Sequence, residues 1–158
     1  MAQIDLKNCT IKIKDGGANS LTIKIGEGNL TYNEHRKIKY VTDRGKLDTC
    51  RLDDQEPVDV KLDFMWEFLK ADGGSIPSPE EALKQSGPAA TWATTASDPC
   101  EPYAVDLEIT NAPICAGIKT EVITLPDFRY EELAHDPKTG QVSVTGKCNV
   151  IAATLARV

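Results

Sequence analysis

The 158-residue sequence predicts a mainly β protein: an antiparallel β-sandwich or barrel with one short α-helix and one long projecting hairpin. Three observations carry that expectation. The apolar residues recur with a period of two in most segments. Turn signals rich in Gly, Pro, Asn and Asp return every 8–12 residues or so, the rhythm of an all-β fold. Only one stretch bears a helix start. No internal repeat, low-complexity tract or linker divides the chain, so residues 1–158 read as a single domain. A domain of this size buries roughly 68–70% of its unfolded surface and needs neither disulfides nor metal to hold a core.

In order along the chain, Ile4 and Leu6, then Cys9, Ile11 and Ile13, alternate with polar residues. The turn Asp15-Gly16-Gly17-Ala18-Asn19 follows, and Leu21, Ile23 and Ile25 alternate again, which is a hairpin pattern. Leu30-Thr31-Tyr32 predicts a short strand. Residues 36–52 predict a second hairpin, with Gly45 at a loop position that needs φ > 0. This hairpin is rich in Lys, Arg and Asp, and neither face reads as a full core face. An isolated two-stranded ribbon is marginal in water, so it is expected either to pack on a neighbouring subunit or to be a solvated edge whose charges block aggregation.

After the acidic turn Asp53-Asp54-Gln55-Glu56-Pro57, the residues Val58, Val60, Leu62, Phe64 and Trp66 alternate with Asp59, Lys61, Asp63 and Met65. This predicts a half-buried strand with Trp66 on its core face. Ser78 as N-cap, Pro79 at the first helical position and Glu81 completing a capping box predict a two-turn helix over 79–86, ended by Ser86-Gly87-Pro88. Residues 89–102 read as loop with one strand around Thr91 to Thr95. Further strands are expected at Tyr103–Thr110, Ile118–Leu125 and Phe128–Leu133. A last one runs from Gln141 to about Leu155, where Gly146 marks a bulge that re-phases it.

Composition bounds the function. The formal charge of −6 and pI near 4.9 argue against a grip on nucleic acid, which needs a basic patch. No apolar run reaches the roughly 20 residues of a membrane helix, and the opening residues lack the apolar core of a signal peptide. Without one, the glycosylation patterns Asn8-Cys9-Thr10 and Asn29-Leu30-Thr31 carry little weight. The five cysteines, Cys9, Cys50, Cys100, Cys115 and Cys148, show no metal-ligand spacing. Cys9 and Cys148 fit strand alternation as small buried hydrophobes. Cys50 and Cys100 lie near turn-rich, exposed stretches and are candidates for a cross-link between subunits.

No catalytic, cofactor or metal site emerges. His35 and His135 sit beside turn residues outside any nucleophile signature, and there is no P-loop, G-x-S-x-G or H-E-x-x-H. The acids Asp53, Asp54, Glu56, Asp59 and Asp63 lack the spacing of a calcium loop and read as a solvated face. The chain is therefore expected not to be an enzyme. Trp92, in a loop of small residues, is a candidate interface anchor.

Four segments, taken in order, carry a resemblance. They are Ile11-Lys12-Ile13-Lys14-Asp15-Gly16, residues 25–32 (IGEGNLTY), residues 40–48 (YVTDRGKLD), and residues 56–64 (EPVDVKLDF) followed by Trp66. Residues 100–107 (CEPYAVDL) add to them. Together they resemble the major tail tube proteins of tailed bacteriophages, over most of the chain. The resemblance implies a structural subunit that closes into hexameric rings, which stack into a hollow tube. DNA passes through the lumen without specific binding, and an internal tape-measure protein occupies it. Tail-terminator and baseplate proteins would be further partners, with a sheath if the tail contracts. The implied location is the virion tail, assembled in the bacterial host cytoplasm. The hairpin is the natural inter-subunit arm, with Arg36, Ile38, Tyr40, Arg44, Leu47 and Cys50 as interface residues beside Trp92. Asp59, Lys61 and Asp63 form one polar face, turned to lumen or exterior. Two other readings fit the same fold: a secretion-system tube subunit, and a β-sandwich ligand-binding module. The second expects an aromatic platform, and the chain has nine aromatic residues, most on apolar strand faces.

Overall fold

A computed structural model describes residues 8–23, 28–66, 76–111, 117 and 119–158. The expected strand residues Ile4, Leu6, Ile25 and Ile118, together with Cys115, lie outside the described residues.

Antiparallel strands dominate. β1 (Cys9–Lys14) and β2 (Ser20–Ile23) form the first hairpin, with Ile11 opposite Ile23 and Ile13 opposite Leu21. β3 (Leu30–Asn33) pairs with β6 (Val58–Met65). β4 (Ile38–Asp43) and β5 (Lys46–Leu52) make a separate two-stranded sheet. β7 (Val105–Asn111), β8 (Glu121–Asp136), β9 (Gln141–Cys148) and β10 (Thr154–Arg157) complete the set. The main sheet runs β2-β1-β7-β8-β9-β6-β3, with β10 added beside β8. Its end strands do not pair with each other, so no barrel closes among the described residues.

β8 joins the two halves of this sheet. Its first part pairs with β7 (Leu107 opposite Leu125) and its second part with β9 (Leu133 opposite Val144). Both halves feed one core: Ile11, Ile13, Leu107 and Leu125 from one, and Val58, Leu62, Phe64, Val142, Val144 and Cys148 from the other. Each strand alternates because successive side chains point to opposite faces. β6 shows this along its whole length, with Val58, Val60, Leu62 and Phe64 all buried.

The sequence reading expects two strands where β8 is one. Pro126 lacks the N–H a ladder needs, yet the strand continues because the break is bridged locally. Asp127 takes φ +53°. Its N–H donates to Asp106 Oδ1 (3.1 Å), its carbonyl accepts from Asn149 N (3.3 Å), and its carboxylate accepts from Thr95 Oγ1 (2.8 Å). The ladder slips between Val105 and Leu107 and resumes in phase at Phe128.

Two further expectations are corrected. The last strand does not run to Leu155: β9 stops at Cys148, and a turn carries the chain to β10, which returns to pair with the start of β8. Gly146 does mark a bulge, but the bulge lies on the neighbouring strand. β8 slips between Tyr130 and Glu132, leaving Glu131 as the extra residue. A Cβ at Gly146 would sit on the Arg129 carbonyl oxygen and 2.8 Å from Tyr130 Cα. Gly146 is thus the gap into which the bulged strand fits.

The helix forms where its caps place it. α1 (Pro79–Lys84) begins at Ser78, whose hydroxyl accepts from Glu81 N (3.3 Å) and donates to the Glu81 carboxylate (3.1 Å). It ends at Gln85 in the left-handed region. Ala82 and Leu83 are buried against the β1–β2 end of the sheet, and the Tyr103 hydroxyl donates to the Ala82 carbonyl (3.1 Å). Burial, with the Asp15 charge added, pushes that phenol up to about 12. The expected strand at Thr91–Thr95 is absent. A single 3-10 turn, Gly87–Ala89, leads into an irregular segment. Its backbone bonds are few and scattered, Gly16 N to Ala93 O (2.9 Å) and Thr95 N to Ala104 O (3.1 Å).

Asp15 ties that segment to the first hairpin. Its buried carboxylate accepts from Gly17 N (2.9 Å), Asn19 N (3.0 Å), Asn19 Nδ2 (2.8 Å) and Ala93 N (3.0 Å). Burial raises the carboxyl, but the bonds from Asn19, Ala93 and Gly17 together outweigh it and hold it below its ordinary value of 3.8. A carboxylate so held stabilises the fold above the unfolded value and loses that contribution as pH falls through the folded one.

Two outcomes follow for stability. Gly146→Ala is expected to destabilise the fold by about 2–3 kcal/mol, because the backbone of the bulge cannot give way as a side chain would; urea unfolding of both proteins measures it. Asp15→Ala strips three backbone N–H groups and the Asn19 side-chain amide of their acceptor and is expected to cost about 2–3 kcal/mol at pH 7. The difference from wild type should shrink as pH falls below 3.8; an unchanged difference at pH 2.5 or so would remove Asp15 from the acid-unfolding account.

Candidate interaction surface

The hairpin of β4 and β5 stands apart from the core. Every residue of β5 is exposed, and so is every residue of β4 after Ile38. The turn between them is Arg44 (φ +52°) and Gly45 (φ +80°), a two-residue loop with positive φ at both positions. That geometry matches the right-handed strand twist, and glycine adopts it without the cost a Cβ imposes.

Register gives the hairpin two unlike faces. Cross-strand partners share a face, and Ile38 pairs with Leu52, Tyr40 with Cys50, and Thr42 with Leu47. The other face carries Lys39 with Arg51, Val41 with Thr49, and Asp43 with Lys46. The ladder slips between Val41 and Thr42, leaving Asp48 as an extra residue. That bulge puts Leu47 on the side of Tyr40 and Cys50. Strict alternation, on which the sequence reading rests, assigns Leu47 to the opposite side and hides the apolar stripe. Tyr40 is 62% exposed, Leu47 77% and Leu52 68%. Burial of each such side chain is worth about 1.5–3 kcal/mol, and this chain's own core takes up none of it.

Polar contacts fix the hairpin's root. Asp53 N donates to Lys37 O (3.0 Å) across the two connecting segments. Lys37 Nζ lies 2.8 Å from Glu56 Oε1, and His35 Nε2 lies 2.6 Å from Asp59 Oδ2 on β6. The Lys37 hydrogen bond holds the Glu56 carboxyl below its ordinary range, and the same bond raises the Lys37 ammonium. Glu34 Oε1 accepts from Ala153 N (2.9 Å), tying the root to the β9–β10 link. A cleft of about 390 Å³ opens there, lined by His35, Leu52, Gln55 and Ile151 among others.

The remaining candidates separate. Arg36 lies at the root beside this cleft, and Ile38, Tyr40, Arg44, Leu47 and Cys50 all lie on the projecting hairpin. Trp92 does not join them. It is 6% exposed and belongs to the core cluster, so within this chain it is a packing residue under the helix end, with its carbonyl accepting from Gln85 Nε2 (2.6 Å). Trp66 is the reverse correction. β6 ends at Met65, beyond the core's rim, and Trp66 is 52% exposed, edge-on to the His135 ring at 4.7 Å.

Asp59, Lys61 and Asp63 do share one face of β6, opposite Lys147, Thr145 and Ser143 of β9. Arg129 and Glu132 of β8 continue it. The face is of mixed sign, with Lys147 Nζ 3.8 Å from Asp59 Oδ1 and Arg129 paired with Glu101 (3.0 Å). Among the described residues no group of three or more His, Cys, Asp or Glu side chains is arranged to hold a metal ion, and no helix is long and apolar enough to cross a membrane.

No protein-family model matches this sequence, and comparison with curated proteins returns no significant match.

The thiols differ sharply. Cys50 and Cys100 are free and exposed, while Cys148 is buried. Burial, with the charges of Asp106 and Asp127, pushes the Cys148 thiol up to about 12. Only the thiolate is nucleophilic. Native labelling with a maleimide at pH 7.5 or so is therefore expected to modify Cys50 and Cys100 and to spare Cys148 until the chain unfolds. Peptide mass spectrometry reads this, and fast native labelling of Cys148 would contradict it.

Proposed function

We propose that the chain is a structural subunit of a phage tail tube, closing into hexameric rings that stack into a hollow conduit for DNA. One observation carries this reading: the projecting hairpin Ile38–Leu52 presents Tyr40, Leu47 and Leu52 on one exposed face, away from the chain's own core. An apolar stripe on a projecting arm suits a surface that is completed by another copy of the chain.

Two further features support it. Among the described residues the sheet is open, and β2 and β3 stand at its ends. Such edges invite pairing with another strand, and a ring satisfies them by closing on itself. In this reading the open sheet of one chain is a sector of a sandwich-like wall whose barrel closes only in the ring. The chain also carries a formal charge of −6, which disfavours adhesion of a passing polyanion. Screening over about 8 Å at physiological salt confines that effect to residues at the lumen wall. The four segments resembling tail tube proteins include the hairpin's own residues 40–48.

Negative-stain electron microscopy of the purified protein is expected to show rings or hollow tubes of uniform width. The double variant Tyr40→Asp/Leu47→Asp should abolish them while leaving the unfolding midpoint within error of wild type, since neither side chain reaches the core. Tubes that form equally well with both substitutions would overturn the assignment of the hairpin. A wild-type chain that stays monomeric at high concentration, with and without a tube-initiating complex, would overturn the tube.

A further inference from the structure

Among the described residues the hairpin's strands pair only with each other, so its direction depends on its root. Two short connections, residues 34–37 and 53–57, join it to the body. One backbone bond, Asp53 N to Lys37 O, holds them together. The other restraints found among the described residues are side-chain contacts. Glu34 reaches the Ala153 amide, Lys37 reaches Glu56, and His35 sits between two carboxylates. Its Nε2 is 2.6 Å from Asp59 Oδ2, and its Nδ1 is 4.0 Å from Glu56 Oε2.

We infer that His35, Asp59, Glu56 and Lys37 form a proton-sensitive latch that fixes the angle at which the hairpin leaves the body. A neutral imidazole can serve Asp59 with its one N–H; the imidazolium keeps that bond and adds a charge attraction to Glu56 across 4.0 Å. Histidine is the side chain that changes charge between about pH 5 and 8. The latch therefore tightens as pH falls through that range. It loosens again in stronger acid, when the carboxylates take up protons. Lys147 on β9 approaches the far oxygen of Asp59 at 3.8 Å. Other charged groups around the root are Glu34 and Arg36 on the first connection, Asp53 and Asp54 on the second, Lys61 on β6 and Glu131 on β8. Each exposed ion pair is weak alone. A weak bias suffices here, because among the described residues the hairpin's strands pair with no strand of the main sheet. The inference concerns the single chain and holds whether or not the chain assembles.

Backbone 15N relaxation on the soluble, unassembled chain tests it. At about pH 6 the amides of Ile38–Leu52 are expected to share the tumbling of β6 and β9, with order parameters near 0.85. In His35→Gln/Glu56→Gln they should fall below about 0.6 while the β6 and β9 amides keep their values. Wild type at pH 8 or so should move toward the variant, and Asp59→Asn should lose much of that pH response. A hairpin equally ordered in wild type and variant, or equally mobile in wild type at both pH values, would overturn the latch. If the double variant fails to fold, the wild-type pH comparison decides alone.

Discussion

At Pro126 the main sheet has no donor to offer, and Asp127 supplies what the ladder lacks. Its amide is taken by Asp106, its carbonyl by Asn149 and its carboxylate by Thr95. These three contacts let one strand of 16 residues serve two sheets' worth of partners. Without them the β7 side and the β9 side would be separate layers, each exposing half of a core. Burying a carboxylate beside another is costly: desolvation, with the Asp127 charge adding to it, raises the Asp106 carboxyl. The fold accepts this cost at the one place where continuity of the strand has no backbone substitute.

Much of the architecture is legible in the sequence because it depends on local chemistry. The period-two pattern of Val58–Met65 survives intact, since both neighbours of β6 bury the same face. The helix appears between Ser78 and Gln85, since its caps act within one turn. Gly45 takes the positive φ its position demands. Where the sequence misleads, a contact distant along the chain decides. Nothing near Pro126 announces that residues 106, 149 and 95 will bridge it. Trp92 is surrounded in sequence by small residues typical of a surface loop, yet it is buried because the Asp15 carboxylate draws Ala93 down onto the first hairpin. Trp66 keeps the apolar parity of its strand, but the strand ends one residue too early for parity to matter.

The candidate surface shows the same division. That residues 36–52 project is readable from their composition, which offers no full core face on strict alternation. That one face is nonetheless apolar is not readable, because it requires knowing where the ladder slips. The polar face of β6 is likewise legible as a face, whereas its mixed sign depends on which residues of β8 and β9 come to lie beside it. Register across strands is set by turns and bulges, and single-strand patterns carry only half of that information.

The bulge at Asp48 has an implication for how this hairpin can change over evolutionary time. Substitutions at Tyr40, Cys50 or Leu47 alter one tooth of the apolar stripe and leave the others in line. Gain of a single residue in β4 between Val41 and Thr42 does something different in kind: it gives Asp48 a partner, regularises the ladder and turns the distal end of the arm over, moving Leu47 to the side of Val41 and Thr49 while Tyr40 and Leu52 stay where they are. The arm should therefore tolerate substitution along its strands, and even loss of the unpaired Asp48, far better than an insertion opposite it. The length of β4 is the more tightly constrained quantity, in the way the teeth of a key may wear but may not shift along the blade.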